Sequence, residues 1–272
     1  MSLVVNYNDS AFNAHRNLQS TDRMLRTSVQ RLSSGLRVNN AADDPAGLVI
    51  SEQMRGQIEG LTRAIRNAND GVNVIKTAEA ALNEVHSLLT QMRGLAVHAN
   101  NTGVNSDEAI AADQAQLDKA VEALDRIAVT TKFNGKALLD GTYTSQIFQV
   151  GANANDTLVL TIANTNATTL GVASLDLATA ATAAITAIDD AVTTVSTTRS
   201  TLGSFQKNTF ESNINSLSIA RESIMGAQST IRDADIAEEM VTFTRNNIML
   251  QAGTAMLAQA NQAPQQVLQL LR

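Results

Sequence analysis

Apolar residues recur at alternating intervals of three and four near the start of the chain: Val4, Tyr7, Ala11, Ala14, Leu18, then Leu25 and Leu32, with Thr21 and Ser28 at the intervening seam positions. This heptad spacing predicts an amphipathic helix made to pair with another helix. The pattern stops at Ser33-Ser34-Gly35, and the polar RVNNAADD stretch after it reads as a connector. Asp44 followed by Pro45 opens a new helix, because a short acceptor caps free backbone amides and proline is tolerated in the first turn. Met54, Ile58, Leu61, Ile65, Ala68, Val72, Ile75 and Leu82 then keep the three-four rhythm, and Val85, Leu89, Met92 and Leu95 continue it. A helix from Asp44 to Asn100 would be roughly 85 Å long, so it needs partners along its whole length.

Asn100-Asn101-Thr102-Gly103 breaks that helix, and Asn105 with Glu108 three residues on reads as a capping box for another helix running to about Thr131. Ile110, Leu117, Val121, Leu124 and Ile127 give it one apolar face. The period then changes. Asn134-Gly135 and Asp140-Gly141 are turn signals, while Gln146 to Val150 and Thr157 to Ile162 read as short strands of a hairpin. From Ala163 to about Thr198 the chain is dominated by Ala and Thr, which suits a loop followed by a helix.

A second long helical pattern covers Leu202 to about Thr230 through Phe205, Phe210, Ile214, Leu217 and Ile224. Asp235 with Glu238 offers a fresh N-cap, and the last segment carries Ile236, Met240, Phe243, Ile248, Leu257, Val267, Leu268, Leu270 and Leu271. So apolar a terminus needs a covering surface, and the N-terminal heptads supply one. The expected fold is mainly α: a long antiparallel helical bundle or coiled coil with paired terminal helices and a small β-hairpin region in the middle. The expected divisions are 1–43 (N-terminal helix and connector), 44–131 (long helices), 132–175 (hairpin region), 176–231 (returning long helix) and 232–272 (C-terminal helix).

Composition narrows the function. Of 272 residues 44% are hydrophobic but only 3% aromatic, with no Trp, so buried surface comes from aliphatic side chains and Ala, which suits close helix packing. A formal charge of −6 argues against a nucleic-acid partner. Cysteine is absent, which removes disulfides and thiolate metal sites. No stretch approaches a membrane span, the polar faces are too mixed in charge for a membrane-surface helix, and the N-terminus lacks the layout of a cleavable signal.

Catalytic constellations are missing. His15, His86 and His98 stand singly on helical patterns, and packing or solvation explains each better than zinc ligation. Asp43-Asp44 and the Asp233/Asp235 pair fall where helices begin, and there capping by Asp44 and Asp235 is a better reading than acid–base chemistry. Neither an enzymatic activity nor a cofactor or metal is expected.

Several segments resemble bacterial flagellin. QRLSSGLRVNNAADDPAGLVIS (Gln30 to Ser51), NANDGVNVIKTAEAALNE (Asn67 to Glu84), KFNGKALLDG (Lys132 to Gly141), IRDADIAEEM (Ile231 to Met240) and LAQANQAPQQVLQLLR (Leu257 to Arg272) are similar to that family's motifs, in order, across both terminal thirds. The stretch from about Gly141 to Thr201 carries no such motif. The resemblance implies a secreted, extracellular structural protein that self-assembles into the flagellar filament for motility. It also implies export through the flagellar channel without a cleavable signal, and export-chaperone, cap and hook-junction proteins as partners. A hook–filament junction protein, or a secreted adhesin with a coiled-coil stalk, are the alternatives; a larger head would be expected of the adhesin.

Three site expectations follow. Polymerisation and terminal-helix packing are placed on Leu18, Leu25, Leu32, Ile236, Met240, Phe243, Leu257, Val267, Leu268 and Leu271. Helix caps are placed at Asp44, Asn105 and Asp235. By resemblance, the patch sensed by a Toll-like receptor falls on Gln91, Arg93, Leu95 and Gln116, where two glutamines stand in place of an expected Arg and Glu, implying weak or absent recognition. The terminal segments, with a seam of small residues, are expected to fold only on polymerisation, and Asp at Leu268 or Leu271 is expected to abolish filaments.

Overall fold

The computed structural model describes residues 8–270, with side chains described as far as residue 262. Helix α1 spans Asp9–Ser34, α2 Pro45–Ala99 and α3 Asp107–Thr130. Two antiparallel hairpins follow, β1 (Lys132–Phe133) with β2 (Lys136–Ala137) and β3 (Gln146–Gln149) with β4 (Thr157–Leu160). Helix α4 (Leu177–Ser204) passes through a π-helical stretch, Phe205–Glu211, into α5 (Ser212–Arg232), and α6 runs Ile236–Leu270. The chain is mainly α, and contacts divide it into two units, Met1–Gly56 with Ser223–Arg272 and Gln57–Glu222.

Local chemistry sets the boundaries. Gly35 ends α1 in the left-handed region at φ 72°, and its N–H donates to the Arg31 carbonyl at 2.8 Å, a closure that a residue without Cβ adopts freely. Asp44 caps α2, its Oδ1 accepting from the Gly47 N–H at 2.9 Å. The cap of α3 is a correction: Ser106, not Asn105, supplies it, accepting from the Ala109 N–H at 3.4 Å. Ser106 has the extended backbone an N-cap needs, and the Asn105 amide is spent donating to the His98 carbonyl, closing the α2–α3 turn. Glu108 bonds its own backbone N–H and the Ser106 hydroxyl, which hold its pKa below the usual value.

The unit from Gln57 to Glu222 carries the larger core. Ile75, Leu82, Leu89 and Met92 on α2, Leu117 and Leu124 on α3, and Ile188 on α4 are all fully buried. Leu138, Leu139 and Ile162 from the hairpin region close one part of it. The Ala/Thr-rich stretch resolves into an irregular segment and then α4, begun by Asp176 accepting from the Ala178 and Thr179 N–H groups. Helix starts at Leu177, well before Leu202, and Leu177, Ala181, Ala184, Ile188, Ala191, Val195 and Leu202 are buried along it at three-four spacing.

The π-helical stretch has a packing cause. Widening the ladder to i→i+5 brings residues five apart nearly onto one face. Phe205 and Phe210 accordingly meet edge-to-face at 5.4 Å, and Phe210 meets Phe148 of β3 at 5.5 Å. Phe210 is fully buried because α2 offers Gly71 beneath it: a Cβ there would lie 2.5 Å from the ring's Cζ. Gly71→Ala is therefore expected to displace the ring and destabilise this unit by about 1–3 kcal/mol, read as a lowered thermal midpoint by circular dichroism.

Candidate assembly interface

The terminal helices form an antiparallel pair in the first unit. Asn8 Nδ2 donates to the Ala260 carbonyl at 2.8 Å, Leu18 reaches toward Gly253, and Arg31 approaches Glu239 at 3.6 Å. The segments between these helices and the rest are tied as well. Arg37 N–H donates to the Arg232 carbonyl at 2.7 Å and Ala234 N–H to the Gly35 carbonyl at 2.9 Å, around a bridge between Leu36 and Asp233. Asp43 accepts from the Asn39 and Asn40 N–H groups, bonds that hold its pKa below the usual value.

The seam of this pair is thin. Leu18, Leu25 and Leu32 on α1 and Phe243 and Leu257 on α6 are only partly buried, although heptad spacing directs them inward. The fully buried side chains of the pair are polar: Thr21, Ser28 and Asn246. Ile236 and Met240, expected with the seam, instead lie on the exposed surface of α6. Val267 and Leu268 lie on α6 beyond the last described side chain, and Leu271, Val4 and Tyr7 lie outside the described residues.

Large apolar side chains crowd the outward surface instead. Phe12, Met24 and Val29 on α1 and Ile236, Met240, Val241, Ile248, Met249 and Met256 on α6 are all exposed, Ile248 to 61%. So much exposed apolar surface on two helices marks an interaction site, since isolated soluble units rarely leave it uncovered. Among the described residues no group of three or more His, Asp and Glu could hold a metal, and no helix is long and apolar enough to cross a membrane.

A model of the bacterial flagellin N-terminal helical region matches residues 5–144, and one of the C-terminal helical region matches residues 185–271. The chain belongs to the bacterial flagellin family. It is 47% identical to a flagellin of Halalkalibacterium halodurans, covering 99% of this chain and 100% of that protein. To a flagellin of Bacillus subtilis it is 42% identical, covering 98% and 99%. It is 38% identical to a flagellar filament 33 kDa core protein of Treponema phagedenis, covering 99% and 100%. Among solved structures, a Bacillus cereus flagellin matches with a TM-score of 0.51 at 28% identity, covering 56% of this chain and 88% of that one.

In this flagellin the four residues on which the resemblance placed a receptor patch lie in the second unit. Gln91 and Gln116 are exposed, and Leu95 is partly buried against the core. Arg93 is engaged: its Nε donates to Asp189 Oδ1 of α4 at 2.6 Å and its Nη2 to Oδ2 at 3.4 Å, and this hydrogen-bonded pairing raises the guanidinium pKa further. No sequence signal on α2 announced that partner, because the pairing is between distant segments.

The α6 start is the most clearly capped element of the interface, Asp235 Oδ1 accepting from the Ala237 N–H at 2.8 Å and the Glu238 N–H at 3.2 Å. Asp235→Ala is expected to cost about 1 kcal/mol at that end. Amide hydrogen exchange should quicken in the first turn of α6 and stay unchanged in α3.

Proposed function

We infer that this flagellin is a structural subunit of the flagellar filament outside the cell, and that it polymerises by covering the exposed faces of α1 and α6 with copies of itself. The observation that carries the reading is the inversion on the terminal pair: partly buried leucines and buried polar residues inside, large exposed apolar residues outside. Family membership over both helical regions supports it. Burial in such a pair contributes only ~25 cal/mol per Å², while ordering costs about 1–2 kcal/mol per residue of backbone. Neighbouring copies supply the rest, so the terminal helices gain their full stability as they assemble. Export through the flagellar channel without a cleavable signal, and handling by export-chaperone, cap and hook-junction proteins, belong to this reading as what the family implies.

The test separates fold from assembly. Ile248→Asp alters a side chain that the single chain leaves exposed, so the monomer's helix content is expected to stay as it is while seeded filament growth stops, because the charge becomes buried between copies. Normal growth of that variant, seen by electron microscopy, would overturn the reading. Terminal helices already resistant to limited proteolysis in the monomer would remove the coupled-folding part alone.

Recognition by the Toll-like receptor belongs here too. Gln91 and Gln116 offer no charge, and Arg93 would have to leave Asp189 before meeting a receptor. Two missing charge-assisted hydrogen bonds lower potency by at least about a hundredfold in a cell reporter assay. Potency equal to that of a recognised flagellin would sink this proposal.

A further inference from the structure

The two lines of residues along the α1–α6 seam differ in kind. One is repetitive: Ala11, Leu18, Leu25 and Leu32 on α1, and Phe243, Leu250 and Leu257 on α6, each spaced by one heptad. Sliding one helix past the other by a heptad would set leucine against leucine again, so this line cannot choose an alignment. The other line never repeats. It holds Ala14, Thr21 and Ser28 on α1, and Glu239, Asn246, Gly253 and Ala260 on α6.

Among the described residues, three specific contacts of the pair use that second line. Arg31 meets Glu239 at 3.6 Å, and Asn8 donates to the Ala260 carbonyl at 2.8 Å. Leu18 Cδ1 lies 3.0 Å from where a Cβ on Gly253 would stand, so against any other residue the leucine would have to give by a few tenths of an ångström. Asn246 is the central member. It is 4% exposed, and its amide NH2 has no acceptor among the described residues. One heptad away, Arg31 Nε and Glu239 Oε1 are likewise buried without a partner. A leucine at 246 would extend the apolar seam, yet the chain keeps a buried donor whose hydrogen bond is unmet, which lowers stability.

We infer that Asn246 sets the register of the terminal coiled coil at the expense of its stability, so that the pair closes in a single alignment as copies assemble. The inference rests on the filament reading for its purpose but not for its geometry. A slip of one heptad would bring Leu18 onto Asn246 or Ala260 in place of Gly253 and carry Arg31 away from Glu239. Leucine at 246 would remove the penalty on the first kind of slip, because Leu18 would then meet a leucine. Alignment matters to a polymer in particular, since a slipped pair displaces every exposed residue of α6 relative to α1 by about 10 Å. The next copy would then find no matching surface.

The absence of cysteine makes an introduced pair a clean reporter. Asn8→Cys with Ala260→Cys places one thiol on each helix at the native alignment, and oxidative cross-linking is measured in the full chain, as monomer and after seeded growth. With Asn246 retained, cross-linking is expected to be nearly complete in filaments. Adding Asn246→Leu is expected to lower the cross-linked fraction several-fold and to slow growth. It should also lengthen the proteolytic lifetime of α1 and α6 in the monomer by about tenfold, as removal of an unmet buried donor predicts. Unchanged cross-linking, or a shortened lifetime, overturns the inference, and a variant that fails to fold counts as the latter. Gly253→Ala with Asn246 retained is the second arm: it fills the seat of Leu18 and is expected to lower cross-linking too, and an unchanged yield would count against the register line. A parent chain that grows no filaments refutes the filament reading alone, because cross-linking in the monomer still decides the register.

Discussion

An apolar stripe on a helix must be covered, and in the terminal pair of this flagellin the two helices cover each other only in part. Full burial of a leucine is worth about 1.5–3 kcal/mol, but Leu18, Leu25 and Leu32 collect a fraction of that, beside Thr21 and Ser28, which add little. Against this stands the conformational entropy of two helices of 26 and 35 residues. The shortfall gives the molecule its character, because the missing contacts have to come from outside the pair. The exposed Phe12, Val29, Val241 and Ile248 are the groups that can receive them.

The unit from Gln57 to Glu222 shows what a self-sufficient packing of the same residue types looks like. Its part of α2 is covered by α3, α4 and the hairpin region, and leucine, isoleucine and alanine there are buried outright. Close approach is bought with small residues: alanines on α4, and Gly71 under Phe210. Three aromatic rings meet at one cluster, where the π-helical stretch lets Phe205 and Phe210 share a face with Phe148. Stability is thus distributed unevenly, with a dense core in one unit and a thin polar-centred seam in the other.

Much of this was legible in the sequence, for identifiable reasons. Long helices announce themselves by period, and the ends of α1 and α2 by Gly35, Asp44 and Pro45, because these residues act on their own backbone. The β3–β4 hairpin was legible from strand-forming runs around a turn. What escaped depends on partners distant in sequence. The π-helical stretch sets Phe210 over Gly71 and against Phe148, contacts with distant segments that leave no mark in local propensity, whereas the helix of α4 was expected from its Ala-rich stretch. Asn105 and Ser106 are both good caps, and the choice fell to Ser106 once the Asn105 amide was committed to His98. The β1–β2 pair, at two residues a strand, was visible only as its Asn134-Gly135 turn. At the interface, periodicity placed leucines in a seam but could not say how deeply they would be buried, nor that Ile236 and Met240 would face outward.

A protein that exposes large aliphatic residues in order to polymerise faces a problem of direction, since apolar attraction acts on any greasy surface alike. Specificity therefore has to come from groups that lose something when misaligned. In the terminal pair those are the non-repeating residues: a guanidinium that pairs with Glu239, a leucine seated closely on the bare backbone of Gly253, and an amide at Asn246 that is costly wherever it is buried without a partner. Such groups weaken the pair and thereby reject its alternatives, whereas a seam of leucines alone would hold more tightly and in several alignments. The thinness of the seam and its polar centre then have one physical origin. An interface completed by further copies can surrender stability within each copy, provided that what it keeps determines how the next copy fits.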